Sequence, residues 1–166
     1  MISAIVSDTT ALIVLGKLRR LAFLGKLFKQ VHVPQAVLDK LRQENDAIEE
    51  TLLGLSFVSV HPNSSKHKFF YLNRLLGSGE AEAISLAKAM SLPLIIDEKK
   101  GRSVARSLGV PVIGLLGLFI LAKRRGIFSI TDAEKWMREA EQTGYYVSPR
   151  LALDFRHALG KDALSD

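Results

Sequence analysis

The chain contains no cysteine. That excludes a disulfide scaffold, a thiolate zinc site and a cysteine nucleophile, and it fits a reducing compartment. Long hydrophobic runs are also missing. The longest apolar segments, such as Val110 to Ala122, are interrupted by Gly and Pro and fall short of the about 20 residues a membrane span needs. Met1 to Thr10 carry no basic run ahead of an apolar stretch, so no signal peptide is read. The expectation is a cytoplasmic protein with no membrane association. Gly-x-Ser-x-Gly, P-loop and dinucleotide fingerprints are absent, and Gly114-Leu-Leu-Gly117 lacks a strand-turn-phosphate pattern. The four histidines, His32, His61, His67 and His157, are scattered without ligand spacing and read as ordinary loop or surface residues. Acids are in deficit, 17 against 23 Lys and Arg, for a formal charge of +6. Such an excess favours a polyanionic partner, because each neutralised phosphate releases counterions, although many basic proteins bind no nucleic acid.

What is present suits one globular domain spanning residues 1–166. Hydrophobic residues make up 48% of the 166 and charged residues 24%, enough to build a core. Brief β-branched runs, Ser3-Ala-Ile-Val6, Val31-His-Val33, Leu94-Ile-Ile96 and Val110-Pro-Val-Ile113, read as parallel strands covered on both faces. Phe57-Val-Ser-Val60 reads as an extra edge strand. Helical patterns lie between them: Ala11 to Leu15, Leu18 to Phe28, Pro34 to Glu44, Asp46 to Leu53, Gly79 to Met90, Arg102 to Leu108, Leu115 to Arg125 and Thr131 to Thr143. Ser78 is the expected cap of the Gly79 helix, and Thr131 or Asp132 that of the Thr131 helix. His61 to Lys68 reads as a mobile polar loop. A helical segment over about 145–160 closes the domain. This alternation predicts a three-layer α/β/α domain with a mainly parallel sheet. The apolar Leu18 to Phe28 stretch suits either a homodimer interface or the chain's own core.

Three acids carry the chemistry. Asp8 and Asp97 each follow a strand at its carboxyl end, the edge where open α/β sheets bind ligands. Each also suits a plain helix N-cap, accepting hydrogen bonds from exposed N–H groups. Glu80 shares a helical face with Ala83, Ile84 and Ala87, whereas Glu82 points about 200° away. Glu80 therefore looks inward, where a cation would offset its burial, or else stands in the first turn stabilising the helix dipole. Three carboxylates converging at one edge would repel unless a cation sat among them. Oxygen ligands without Cys or His select magnesium or manganese.

Ser7-Asp8-Thr9-Thr10-Ala-Leu-Ile13, Val33-Pro34-Gln-Ala-Val37, Gly77-Ser-Gly-Glu80-Ala-Glu-Ala-Ile84 and Leu94-Ile-Ile-Asp97-Glu98, in that order, resemble a PIN domain of the VapC-like small prokaryotic branch. Arg102-Ser-Val-Ala-Arg106, Gly109-Val-Pro-Val-Ile-Gly114 and Leu121-Ala-Lys-Arg-Arg-Gly126 are similar as well. The resemblance implies a Mg2+- or Mn2+-dependent endoribonuclease acting as the toxin of a toxin–antitoxin pair, with RNA and a cognate antitoxin as partners. It implies Asp8, Glu80 and Asp97 as the catalytic, metal-binding acids, supported by Thr9 and Glu98. Lys99, Lys100, Arg102 and Arg106 would hold flanking phosphates, or else form a solvated helix face. One departure stands out: the acid that the family commonly carries at the end of the Val-Pro-x-x-Val helix falls on Lys40. Asp39 or Glu44 then substitutes after a local shift, or the second metal site is impaired. The corresponding alternative is a catalytically impaired PIN module that binds nucleic acid or an antitoxin. A receiver-like signalling domain fits worse, since Ser7 rather than an acid precedes Asp8 and no lysine follows Ile113.

Overall fold

The central β-branched runs become strands because they are covered on both faces; Ile5, Val6, Val31 and Val33 are all essentially inaccessible. The computed structural model describes residues 3–63 and 72–161. Among these, five strands form one sheet: β1 (Ala4–Ser7), β2 (Gln30–Pro34), β3 (Val58–His61), β4 (Leu94–Ile95) and β5 (Val112–Ile113). Their order is β3-β2-β1-β4-β5 and every pairing is parallel. The extra edge strand expected at Phe57–Val60 is β3, one residue later. The His61–Lys68 stretch is only partly visible: His61 belongs to β3, and residues 64–68, with His67, lie outside the described residues.

The chain divides into two compact units, Met1–Gly114 and Leu115–Asp166. The first holds the whole sheet together with α1 (Thr9–Lys17), a 3-10 turn at Leu21–Phe23, α2 (Leu24–Leu27), α3 (Gln35–Glu44), α4 (Asp46–Leu53), α5 (Leu72–Leu75), α6 (Ser78–Met90) and α7 (Lys99–Ser107). With its helices flanking the sheet, it is a three-layer α/β/α fold. The apolar residues of the Leu18–Phe28 stretch turn inward: Leu21, Phe23, Leu24, Leu27 and Phe28 are buried in the chain's own core. The second unit holds α8 (Leu115–Arg124), α9 (Ile130–Gln142) and α10 (Pro149–Lys161). There Phe119, Phe128 and Trp136 pack with ring centroids 4.6–6.2 Å apart. No helix among the described residues is long and apolar enough to cross a membrane.

α1 begins at Thr9 and α7 at Lys99, ahead of the expected Ala11 and Arg102, and two helix caps also differ from expectation. The cap of α9 is Ser129, not Thr131 or Asp132: Asp132 N–H donates to Ser129 Oγ at 3.0 Å, and Ser129 N–H donates back to Asp132 Oδ2 at 2.9 Å. At α6 the cap residue is Gly77, and Ser78 is already helical. The histidine reading is also corrected in part. His32 on β2 is buried, and its Nδ1 lies 2.8 Å from His61 Nε2 on β3, because adjacent parallel strands bring the two onto neighbouring positions.

Parallel pairing needs a crossover, and here the direction of crossover reverses between β1 and β4. From β1 the chain steps outward to β2 and β3; it then returns to β4 beside β1 and steps the other way to β5. The carboxyl ends of β1 and β4 therefore flank the switch point, where a crevice opens in folds of this kind.

Candidate functional site

Asp8 follows β1 and Asp97 follows β4, so both expected acids stand at this switch point. Pairing fixes the register: Val6 lies beside Leu94 and Ser7 beside Ile95, and Asp8 N–H donates to the Ile95 carbonyl at 2.9 Å. Asp8 occupies the cap position of α1 but makes no side-chain capping hydrogen bond. Its carboxylate instead accepts from the Thr9 hydroxyl at 3.4 Å. Asp97 is not a cap either, since the cap residue of α7 is Glu98, again without a side-chain bond. Helix capping accounts for neither aspartate.

Glu80 enters from the first turn of α6 and is 7% exposed, on the face with Ala83, Ile84 and Ala87 as its spacing predicts. Its Oε2 is buried with no hydrogen-bond partner. Burial is the main cause that raises the Asp8 carboxyl to about 6, with Asp97 adding repulsion against the lowering pull of Thr9 and Lys40. Glu80 rises further, to about 8, first through burial, then through a hydrogen bond to Glu98 and repulsion from Asp8 and Glu98. The bond between the Glu80 and Glu98 carboxyls requires a proton between them. Glu80 thus holds a proton at neutral pH where a positive charge would otherwise serve, whereas Asp8 is mostly ionised there.

Three glycines shape the floor of the site. A Cβ on Gly101 would lie 2.7 Å from Glu80 Oε2 and 2.6 Å from Ile96 Cδ1. On Gly114 it would lie 3.0 Å from both Asp97 Oδ1 and Arg102 Nη1. On Gly79 it would lie 3.3 Å from Lys40 Cδ, 3.6 Å from Thr9 Oγ1 and 3.8 Å from Asp8 Oδ1. None of these glycines was singled out from sequence. Gly101 stood just ahead of the helix expected from Arg102; α7 begins at Lys99 and takes it inside, where a helical glycine asks for a packing reason.

The basic residues divide. Lys100 borders a cavity of about 380 Å³ together with Arg74, Gly77, Glu80 and Glu98. Arg102 faces Asp97 across Gly114, while Lys99 and Arg106 are exposed on α7. Lys40 comes to the acids, within electrostatic reach of both Asp8 and Glu80. Asp39 does not: its Oδ1 accepts from Gln35 Nε2 at 2.9 Å, and with Lys40, Gln43, Asn63 and Glu82 it lines a cavity of about 670 Å³ that Asp8, Glu80 and Asp97 do not border. Glu44, at the end of α3, is exposed.

Among the described residues no group of three or more His, Asp or Glu is already gathered as a metal cage. The donor chemistry nevertheless fits a hard divalent cation: carboxylate oxygens only, one of them buried and unsatisfied. An ion there would take over from the proton held by Glu80.

A family model described as DUF3368, a PIN domain, matches residues 4–161. No curated protein matches the chain. Among solved structures the chain is similar to a PilT N-terminus domain protein, SSO1118, from the hyperthermophilic archaeon Sulfolobus solfataricus P2, at 20% identity and a TM-score of 0.45, covering 68% of this chain and 86% of that one.

Proposed function

The chain belongs to the DUF3368 family of PIN domains, and from that premise we propose that it is a Mg2+- or Mn2+-dependent endoribonuclease, the toxin partner of a cognate antitoxin. PIN domains are generally nucleases that use divalent metals. The observation that carries the reading for this chain is the burial of Asp8 and Glu80 at the switch point, with Glu80 Oε2 left without a hydrogen-bond partner, Asp97 close enough to repel Asp8, and Glu98 beside Glu80. Asp8, Glu80 and Asp97 would hold the ion, with Glu98 standing next to Glu80. Such an ion polarises a phosphodiester and lowers the pKa of bound water.

The chain's own residues supply the rest. The Thr9 hydroxyl orients Asp8 Oδ1 by donating to it. Lys100, on the cavity wall, meets the RNA backbone beside the carboxylates, while exposed Lys99 and Arg106 extend that electrostatic track along α7. Arg102, which with Asp97 borders Gly114, would meet a phosphate next to that acid.

A second reading, an RNA- or antitoxin-binding PIN module without cleavage, draws on the lysine among the acids. One experiment separates the two. Purified protein is incubated with single-stranded RNA in Mg2+, in Mn2+ and after exhaustive chelation. Metal-restored internal cleavage that Asp8→Asn abolishes supports the nuclease. Binding without cleavage under every metal condition supports the module.

A further inference from the structure

Lys40 lies across the acidic site, and the fold leaves room for it. From α3 its side chain runs over the start of α6, where Gly77 and Gly79 present no Cβ. A Cβ on Gly79 would stand 3.3 Å from its Cδ, and one on Gly77 would stand 3.6 Å from its Nζ. Around the same Gly79 position lie Thr9 Oγ1 and Asp8 Oδ1. Groups from α3, from the β1–α1 junction and from the N-terminus of α6 therefore meet at one point. The placement runs against the local field, because the N-terminus of α6 is the positive end of its dipole and repels a cation. What draws the ammonium there is the Asp8 carboxylate, with Glu80 adding to the pull once it ionises: Lys40 lowers the pKa of both.

Sites that cleave phosphodiesters with two metals use the second ion to share the charge developing on the phosphate. A lysine ammonium is a compact point charge with three donors and suits a phosphate oxygen. Lys40 is also exposed over much of its surface, so its charged end is open to a ligand arriving at the carboxylates. We infer that the Lys40 ammonium is the built-in second cation of this site, taking the place of a second divalent ion and contacting a non-bridging oxygen of the RNA phosphate. This rests on the nuclease reading above, with one divalent ion on Asp8, Glu80 and Asp97.

The test uses the full chain and Mn2+ alone, titrated by calorimetry and followed by electron paramagnetic resonance. Wild type is expected to bind one Mn2+ with no spin coupling. K40E should bind two, because an added carboxylate replaces the excluding charge. K40Q keeps most of the side-chain volume and covers the case in which K40E fails to fold. It should still bind one Mn2+, and its single-turnover cleavage at saturating Mn2+ should fall on the order of 100-fold or more, the usual effect of deleting one charge-stabilising donor. K40R should recover much of that loss. Two ions on the wild type, an unchanged count in folded K40E, or cleavage by K40Q at the wild-type rate each overturns the assignment. No Mn2+ on the wild type overturns it together with the metal-dependent nuclease reading, whereas two ions leave that reading standing.

Discussion

Gly101 and Glu80 meet so closely that a single methyl group on the glycine would stand 2.7 Å from the glutamate Oε2. The same methyl would stand 2.6 Å from Ile96 Cδ1, on the strand-end segment that leads to Asp97. Packing of α7 on the site and the position of its buried acid are thus one constraint.

Gly101→Ala is expected to destabilise the protein by about 1–3 kcal/mol through overpacking, and to weaken Mn2+ binding by displacing Glu80. Gly160→Ala is the matched control: Gly160 is also helical, but an added Cβ meets nothing within 4 Å. Helix propensity alone favours alanine at such positions by roughly 0.5–1 kcal/mol. Opposite signs in urea unfolding of the two variants are the expected result; stabilisation by both would mean that Gly101 is not pressed against Glu80.

Metal should stabilise the fold by linkage, about 2.7 kcal/mol at a concentration one hundred times its dissociation constant. Asp8→Asn should remove most of that Mn2+-dependent rise in melting temperature. It should also raise the melting temperature of the metal-free protein, since a desolvated carboxylate beside Asp97 is gone. Thermal scans with and without Mn2+ read both effects. An undiminished rise in the mutant would make Asp8 a structural residue.

The basic track predicts a salt dependence. Each phosphate contact on single-stranded nucleic acid adds about 0.7 to the slope of log K against log salt. Lys100→Ala and Arg106→Ala should each lower the slope by roughly that amount, measured by fluorescence anisotropy with a labelled RNA and a non-cleaving Asp8→Asn background. A slope that does not move for Arg106→Ala would return that residue to the solvated face of α7.

His32 sets a pH limit. Burial first, and then the neighbouring His61, hold its pKa below the ordinary 6.5. The unfolded chain then binds more protons than the folded one as pH drops through that value. Stability is therefore full above it, falls on acidification, and levels off below the depressed pKa. His32→Gln should flatten this part of the melting-temperature curve between pH 7.5 and 5; a curve as steep as the wild type's would mean that another group sets the limit.

Strands were legible because each is a short β-branched run; β1, β2 and β4 are buried, while β3 and β5, at the two edges, are only partly covered. Asp8, Glu80 and Asp97 were legible because a strand end or a helical face is a local property that periodicity reports. What the pattern could not carry was approach between distant segments. Gly79, Gly101 and Gly114 matter through what faces them, and only the folded backbone supplies that. His32 and His61 looked scattered because their partnership exists only across β2 and β3. The α9 cap is a different case: Ser129 and Asp132 form a readable Ser-x-x-acid box, but Thr131 and Asp132 are themselves capping residue types and compete with Ser129 for the position.

The central pairing also sets the order of events during synthesis. Asp8, Thr9 and Lys40 are made early, yet β1 gains its β4 neighbour only after the segment through Ile95 has been translated, and Asp97 comes later still. Closing so long a loop is slow, because its entropy must be met before the contact rewards it. A nascent chain stopped between Glu80 and Asp97 has Asp8 and Glu80 but neither Asp97 nor the Gly101 face that confines Glu80. The acids of the site therefore come together in one late step, and truncated products of interrupted translation lack the complete set.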